Sequence, residues 1–148
     1  MIRVTGKQIQ QHRKRLQVTA ALIFNKDRVL ITSRYGGTRW EFPGGKLEPG
    51  ETLEDCIIRE IEEELEIEVS VTRPFLSVDY EDDESSLTLH TFICKIISGQ
   101  PSNPVGEVYA WARVRELGQF DFLPADRPVV RALFSGSHSY SKLAEEKK

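Results

Sequence analysis

The chain has 148 residues, a length that suits one domain around a single core. Hydrophobic residues make up 39% and charged residues 29%, a globular rather than a disordered balance. The net charge of −3 leaves no basic field for a long nucleic acid, and no apolar run reaches the roughly 18 residues of a membrane span. The opening stretch MIRVTGKQIQQHRKRL lacks the apolar segment of a signal peptide, and Cys56 and Cys94 make no metal-type spacing. A cytoplasmic protein with reduced thiols is therefore expected. His12, His90 and His138 are scattered and form no zinc pattern.

Residues 1–14 are polar and run into the basic cluster Arg13-Lys14-Arg15, which reads as a loosely held arm. A folded domain over 15–136 and a polar tail over 137–148 follow. LQVTAALIF (Leu16 to Phe24) is β-branched and apolar, and RVLITSR (Arg28 to Arg34) reads as its hairpin partner across the turn Asn25-Lys26-Asp27. RWEFPGGKLEPGE is short extended chain followed by a Gly/Pro-rich loop. Thr52 caps a predicted helix to about Leu65, with Leu53, Ile57, Ile61 and Leu65 recurring every four residues beside Cys56 and Ile58. Glu68 to Tyr80 and Ser85 to Ile97 read as two strands around an acidic tip, and EVYAWARV as another. A last helix starts at Asp126, a good capping residue, with Pro128 in its first turn. This order of strands, helix, strands, helix predicts an α+β fold with a mixed sheet between helices.

The region from Glu51 to Glu68 holds nine acidic residues and one arginine. Glu60, Glu63 and Glu64 share one helical face, away from the apolar stripe. On spacing alone such a face reads first as solvated; it can also bring three carboxylates onto a hard ion such as Mg²⁺ or Mn²⁺. The preceding loop adds to the second reading. Gly44 and Gly45 let backbone N–H groups approach a phosphate, and Arg59, the lone cation, has Glu51 as a partner that would pin the loop to the helix. Backbone donors beside clustered carboxylates serve metal-assisted phosphoryl chemistry.

Gly45, five residues, Glu51, seven residues, then Arg59-Glu60-Ile61-Glu62-Glu63-Glu64-Leu65 resembles the signature of the Nudix hydrolases. The pattern departs at Glu66, where that family usually carries glycine to end the helix in a left-handed turn. A glutamate there costs on the order of 1 kcal/mol, so the helix is expected to end differently. The similarity spans about Leu16 to Leu133. It is greatest to the MutT-like branch, which hydrolyses nucleoside triphosphates to a monophosphate and pyrophosphate.

The resemblance implies an αβα sandwich with Glu60, Glu63, Glu64 and Glu107 as ligands of Mg²⁺ (or Mn²⁺). Glu63, Glu64 and Glu107 are the catalytic carboxylates it implies, with Glu107 either a ligand or the general base. Glu107 lies six residues before Arg113, where the branch usually has tryptophan; Trp111 sits two residues earlier. Arg34, Gly44, Gly45 and Lys46 would meet the substrate, and Glu51 and Arg59 would support the motif. Asp126 falls where the branch reads the base. An ionised Asp only accepts hydrogen bonds, so it favours base edges rich in N–H groups, from oxidised guanine or from cytosine. Trp40, Phe42 and Phe75 could stack on that base or belong to the core. The expected partner is a small nucleotide, 8-oxo-dGTP or a modified dCTP, bound by a monomer or homodimer without membrane or long nucleic acid. A Nudix enzyme for another nucleoside diphosphate derivative and a non-catalytic nucleotide sensor are the alternatives.

Overall fold

The computed structural model describes residues 14–34 and 36–136. The expected basic arm, except its last residue, the polar tail, His12 and His138 lie outside the described residues.

Strands β1 (Leu16–Asn25) and β2 (Arg28–Ser33) form the expected hairpin, with Lys26 at φ 59° in the turn. They pair only at its tip, through Phe24 with Val29 and Asn25 with Arg28. Beyond the tip the strands part, and Trp40 to Lys46 fills the gap. Thr32 and Glu41 exchange both backbone hydrogen bonds at 2.9 Å, and the Ala21 N–H donates to the Pro43 carbonyl at 2.7 Å. Gly44–Lys46 then forms β3, antiparallel to Val18, Thr19 and Ala20. The sequence predicts only a loop here. The strand is made by its neighbour, and the register is tight: a Cβ on Gly44 would lie 2.0 Å from the Thr19 carbonyl oxygen.

On the other flank β1 runs parallel to β5 (Ser86–Ser98), which pairs antiparallel with β4 (Glu68–Glu81). Strand β6 (Val108–Arg113) pairs antiparallel with β2, giving the order β4-β5-β1-β2-β6. Helix α1 (Leu53–Leu65) covers one face of this mixed sheet and α2 (Arg127–Ser135) the other. Alternation along β1 assigns the two cores. Ala21 and Ile23 pack with Ile57, Ile61 and Leu65 of α1, whereas Ala20 and Leu22 pack with Val129 and Leu133 of α2. Each large side chain buried in this way contributes roughly 1.5–3 kcal/mol, so both helices are held mainly by their apolar faces. The α+β sandwich expected from the sequence is the fold observed.

Helix α1 begins as its sequence predicts: the Asp55 N–H donates to the Thr52 hydroxyl at 3.1 Å. Its end corrects the expectation attached to Glu66. That residue adopts the left-handed conformation after all, at φ 57° and ψ 35°, and its N–H bonds the Glu62 carbonyl. Ser102 compensates. Its hydroxyl donates to the Glu66 carboxylate, and its N–H caps the Leu65 carbonyl at 2.9 Å. The side chain that makes the turn costly thus ties it down.

Candidate functional site

A cavity of about 550 Å³ opens between β1, β3, α1 and the loop before α2. Glu60, Glu64 and Glu107 line it together with Gly44, Gly45, Lys46, Arg34 and Asp126; Val18, Leu87, Leu89, Leu123 and Ala125 supply its apolar wall. Eight of the expected site residues therefore meet in one place. Glu107 arrives from the segment just before β6.

The motif is organised around Arg59. Its guanidinium takes Glu51 in a two-pronged pair, reaches Glu60 at 2.9 Å and Glu63 at 3.2 Å, and donates to the Lys46 carbonyl at 3.2 Å. Glu51 also accepts from the Glu48 N–H at 3.0 Å. The Arg59 guanidinium, helped by that N–H, holds the Glu51 carboxyl down at about 2. Loop and helix are pinned as the sequence implied. Gly45 matters by close approach: a Cβ there would sit 2.2 Å from the Glu60 carboxyl carbon. The Glu60 carboxylate thus lies flat against the glycine backbone.

The three helix carboxylates do not converge in the way that helical spacing implied. Glu63 is not among the cavity residues; its side chain is 60% exposed and turned to Arg59, one helical turn away. Among the described residues, no three His, Cys, Asp or Glu side chains are gathered closely enough to hold an ion as they stand. Glu64 differs from its neighbours. Its Oε1 is buried without a hydrogen-bond partner, and its carboxyl is pushed up to about 8, by burial first and then by Glu107, Glu41 and Glu60. Burial, then Glu41, raises Glu107 as well. An unsatisfied buried carboxylate is expensive, and a hard cation supplies what it lacks. The oxygen donors Glu60, Glu64 and Glu107, beside two close glycines, fit a divalent ion in chemistry.

Glu41 was not anticipated. It lies in the cavity wall, where its carboxylate takes Arg34 through two hydrogen bonds, from Nε at 2.8 Å and Nη2 at 3.1 Å. A signal was available. Trp40 and Phe42 are both buried in the core, so period-two alternation turns Glu41 to the opposite side. Phe42 stacks on Phe122 at 5.1 Å and also lines the cavity, while Trp40 meets Phe120 edge-on at 5.5 Å. Phe75 packs against the same core, so of the three aromatic residues considered for stacking only Phe42 lines the cavity.

Asp126 is only 5% exposed, and it does not cap α2 through its side chain. A short 3-10 turn, Pro124–Asp126, runs directly into the helix and leaves Asp126 with helical backbone angles. Its Oδ1 instead faces the Phe42 N–H at 3.5 Å. Burial, then the charge of Glu41, pushes its carboxyl from the usual 3.8 to about 8. A carboxyl raised to about 8 favours the protonated form near neutral pH, and a protonated acid both donates and accepts, unlike the ionised Asp126 considered from the sequence.

The consequence for stability has a definite sign. The folded protein keeps a proton that the unfolded chain releases near 3.8, so the Asp126 contribution is full below that value and is lost as pH rises toward about 8. Asp126→Asn should therefore flatten the decline in urea midpoint between about pH 5 and about pH 8. Parallel declines in both proteins would mean that Asp126 is already ionised at low pH.

A NUDIX domain model matches residues 13–133, most of the chain. The chain belongs to the Nudix family. It is 33% identical over 125 residues to the 8-oxo-dGTP diphosphatase of Escherichia coli (strain K12), covering 81% of this chain and 97% of that protein. Identity to the CTP pyrophosphohydrolase of the same organism is 29% over 126 residues, covering 82% and 93%. Among solved structures, the E. coli ORF135 protein superposes with a TM-score of 0.74 at 28% identity, covering 85% of this chain and 93% of that one. This Nudix hydrolase thus has relatives named for two different nucleotides.

Proposed function

We propose that this Nudix hydrolase cleaves a nucleoside triphosphate to its monophosphate and pyrophosphate with Mg²⁺ or Mn²⁺, acting on 8-oxo-dGTP or a modified dCTP in the cytoplasmic nucleotide pool. The observation that carries the reading is the buried Oε1 of Glu64, without a hydrogen-bond partner, in the same cavity as Glu60, Glu107, the Gly44-Gly45 backbone and Asp126. Glu60, Glu64 and Glu107 would hold the ion, joined by Glu63 once it leaves Arg59. The ion supplies neutralisation of phosphate charge and a more acidic water. The protein supplies the rest. Backbone N–H groups at Gly44 and Gly45, the Lys46 ammonium and the Arg34 guanidinium meet the phosphate tail. Glu107, with its raised carboxyl, takes the proton of the attacking water if it is not itself a ligand.

At the other end of the cavity a protonated Asp126 supports both candidate bases. It can donate to the guanine O6 while accepting from a ring N–H, or donate to cytosine N3 while accepting from the exocyclic amine. Pyrophosphate release from a panel of nucleotides, with Mg²⁺ or with EDTA, tests the proposal. The expected result is metal-dependent release of pyrophosphate, with 8-oxo-dGTP or a modified dCTP at least about tenfold ahead of ADP-ribose and diadenosine polyphosphates in kcat/KM. Either of the last two in the lead would overturn the substrate class.

A further inference from the structure

We propose that Glu41 is a positioning residue whose carboxylate holds the Arg34 guanidinium away from Glu107 and Glu64, keeping those two carboxylates available to a divalent cation. The proposal rests on the functional reading above and deepens it. Arg34 follows directly after β2 and has two carboxylates within reach: Glu41, through the two hydrogen bonds of 2.8 and 3.1 Å, and Glu107, with Nε 3.8 Å from its Oε2. The Arg34 side chain is 59% exposed, whereas Glu41 and Glu107 are only 16% and 18% exposed. Arg34 is therefore the more exposed partner, and the two carboxylates compete for its guanidinium. If Arg34 turned fully to Glu107, it would neutralise a carboxylate that the cation needs and fill space beside Glu64.

Glu41 is built to win that competition. Both of its backbone hydrogen bonds go to Thr32 on β2, two residues before Arg34, so acceptor and donor share one short ladder. Its carboxylate meets the guanidinium with two parallel bonds, the strongest geometry open to an exposed arginine, while Glu107 has a single contact at long range. The pair engages two of the five N–H donors of the guanidinium. Glu41 thus keeps the arginine at the cavity wall, within reach of a phosphate tail, without letting it quench the acidic cluster.

Mn²⁺ binding to the nucleotide-free full-length protein, followed by electron paramagnetic resonance, separates this role from a simple loss of charge. Glu41→Gln keeps the side-chain volume and should weaken Mn²⁺ binding by about tenfold, because Arg34 is released toward Glu107. Arg34→Ala alone should not weaken it. The double variant, Glu41→Gln with Arg34→Ala, should bind Mn²⁺ as Arg34→Ala does, since no arginine remains to be misplaced. Glu41→Asp, which keeps the paired acceptor oxygens, should recover part of the loss. If the double variant binds as weakly as Glu41→Gln, the charge of Glu41 acts directly and the proposal fails. Equal binding by Glu41→Gln and wild type also overturns it. No Mn²⁺ binding by the wild type would instead overturn the functional reading, and this proposal with it. Thermal melting of each variant confirms that the folded protein is being compared.

Discussion

Glu64→Gln is expected to remain folded and to lose about a thousandfold or more in kcat, measured as pyrophosphate release at saturating Mg²⁺. The substitution changes one oxygen to an amide and leaves the volume the same. With its carboxyl raised to about 8, Glu64 is already largely protonated near neutral pH in the metal-free protein, so a neutral amide costs the fold little. What disappears is the capacity to become an anion when a cation arrives. Thermal melting should therefore place the variant close to wild type while turnover collapses. Glu63→Gln should also lose orders of magnitude, for a different reason: Glu63 must leave Arg59 before it can serve, and an amide has less to gain from doing so. Full activity in Glu64→Gln would remove the buried carboxylate from the reaction, and with it the main support for the proposed chemistry.

Helix α1 was the most legible element because the signals that mark it are local. Thr52 offers its cap, the four-residue recurrence of Leu53, Ile57, Ile61 and Leu65 sets its buried face, and Arg59 reaches Glu51 as the motif implied. Three other features depend on partners outside their own segment. Strand β3 has three residues, two of them glycine, and exists because β1 lies beside it. The side-chain cap that the local sequence offers at Asp126 is not made, because the preceding 3-10 turn and Phe42 take the residue instead. Alternation with Trp40 and Phe42 turns Glu41 out of the core, and its partner appears when β2 brings Arg34 against it. The displacement of Glu63 is an intermediate case. Spacing of 3.6 residues per turn places it with Glu60 and Glu64, yet the same spacing places Arg59 one turn before it, and the ion pair decides the rotamer.

The two adjacent glycines should fail in opposite ways when each becomes alanine. A Cβ on Gly44 would come within 2.0 Å of the Thr19 carbonyl oxygen and 2.7 Å of the Ala20 Cα. Those atoms are the backbone of a central strand held by β5 on its other side, and they cannot yield without breaking the β1–β3 pairing. Gly44→Ala should therefore cost about 3 kcal/mol or more, seen as a lower urea midpoint, and what activity survives should follow the folded fraction. The three atoms nearest a Cβ on Gly45 all belong to the end of the Glu60 side chain, at 2.2 to 2.6 Å. That end is flexible and can swing aside, so Gly45→Ala should cost the fold no more than about 1 kcal/mol. It cannot swing aside and still lie where the cation would take it. Displacement of one carboxylate by about 1 Å is enough for a loss of about a hundredfold in kcat. The same chemical change thus separates a glycine needed for strand pairing from one needed for the site. If Gly45→Ala retains full turnover, or melts as early as Gly44→Ala, then the contact between Gly45 and Glu60 does not set the geometry of the acidic cluster.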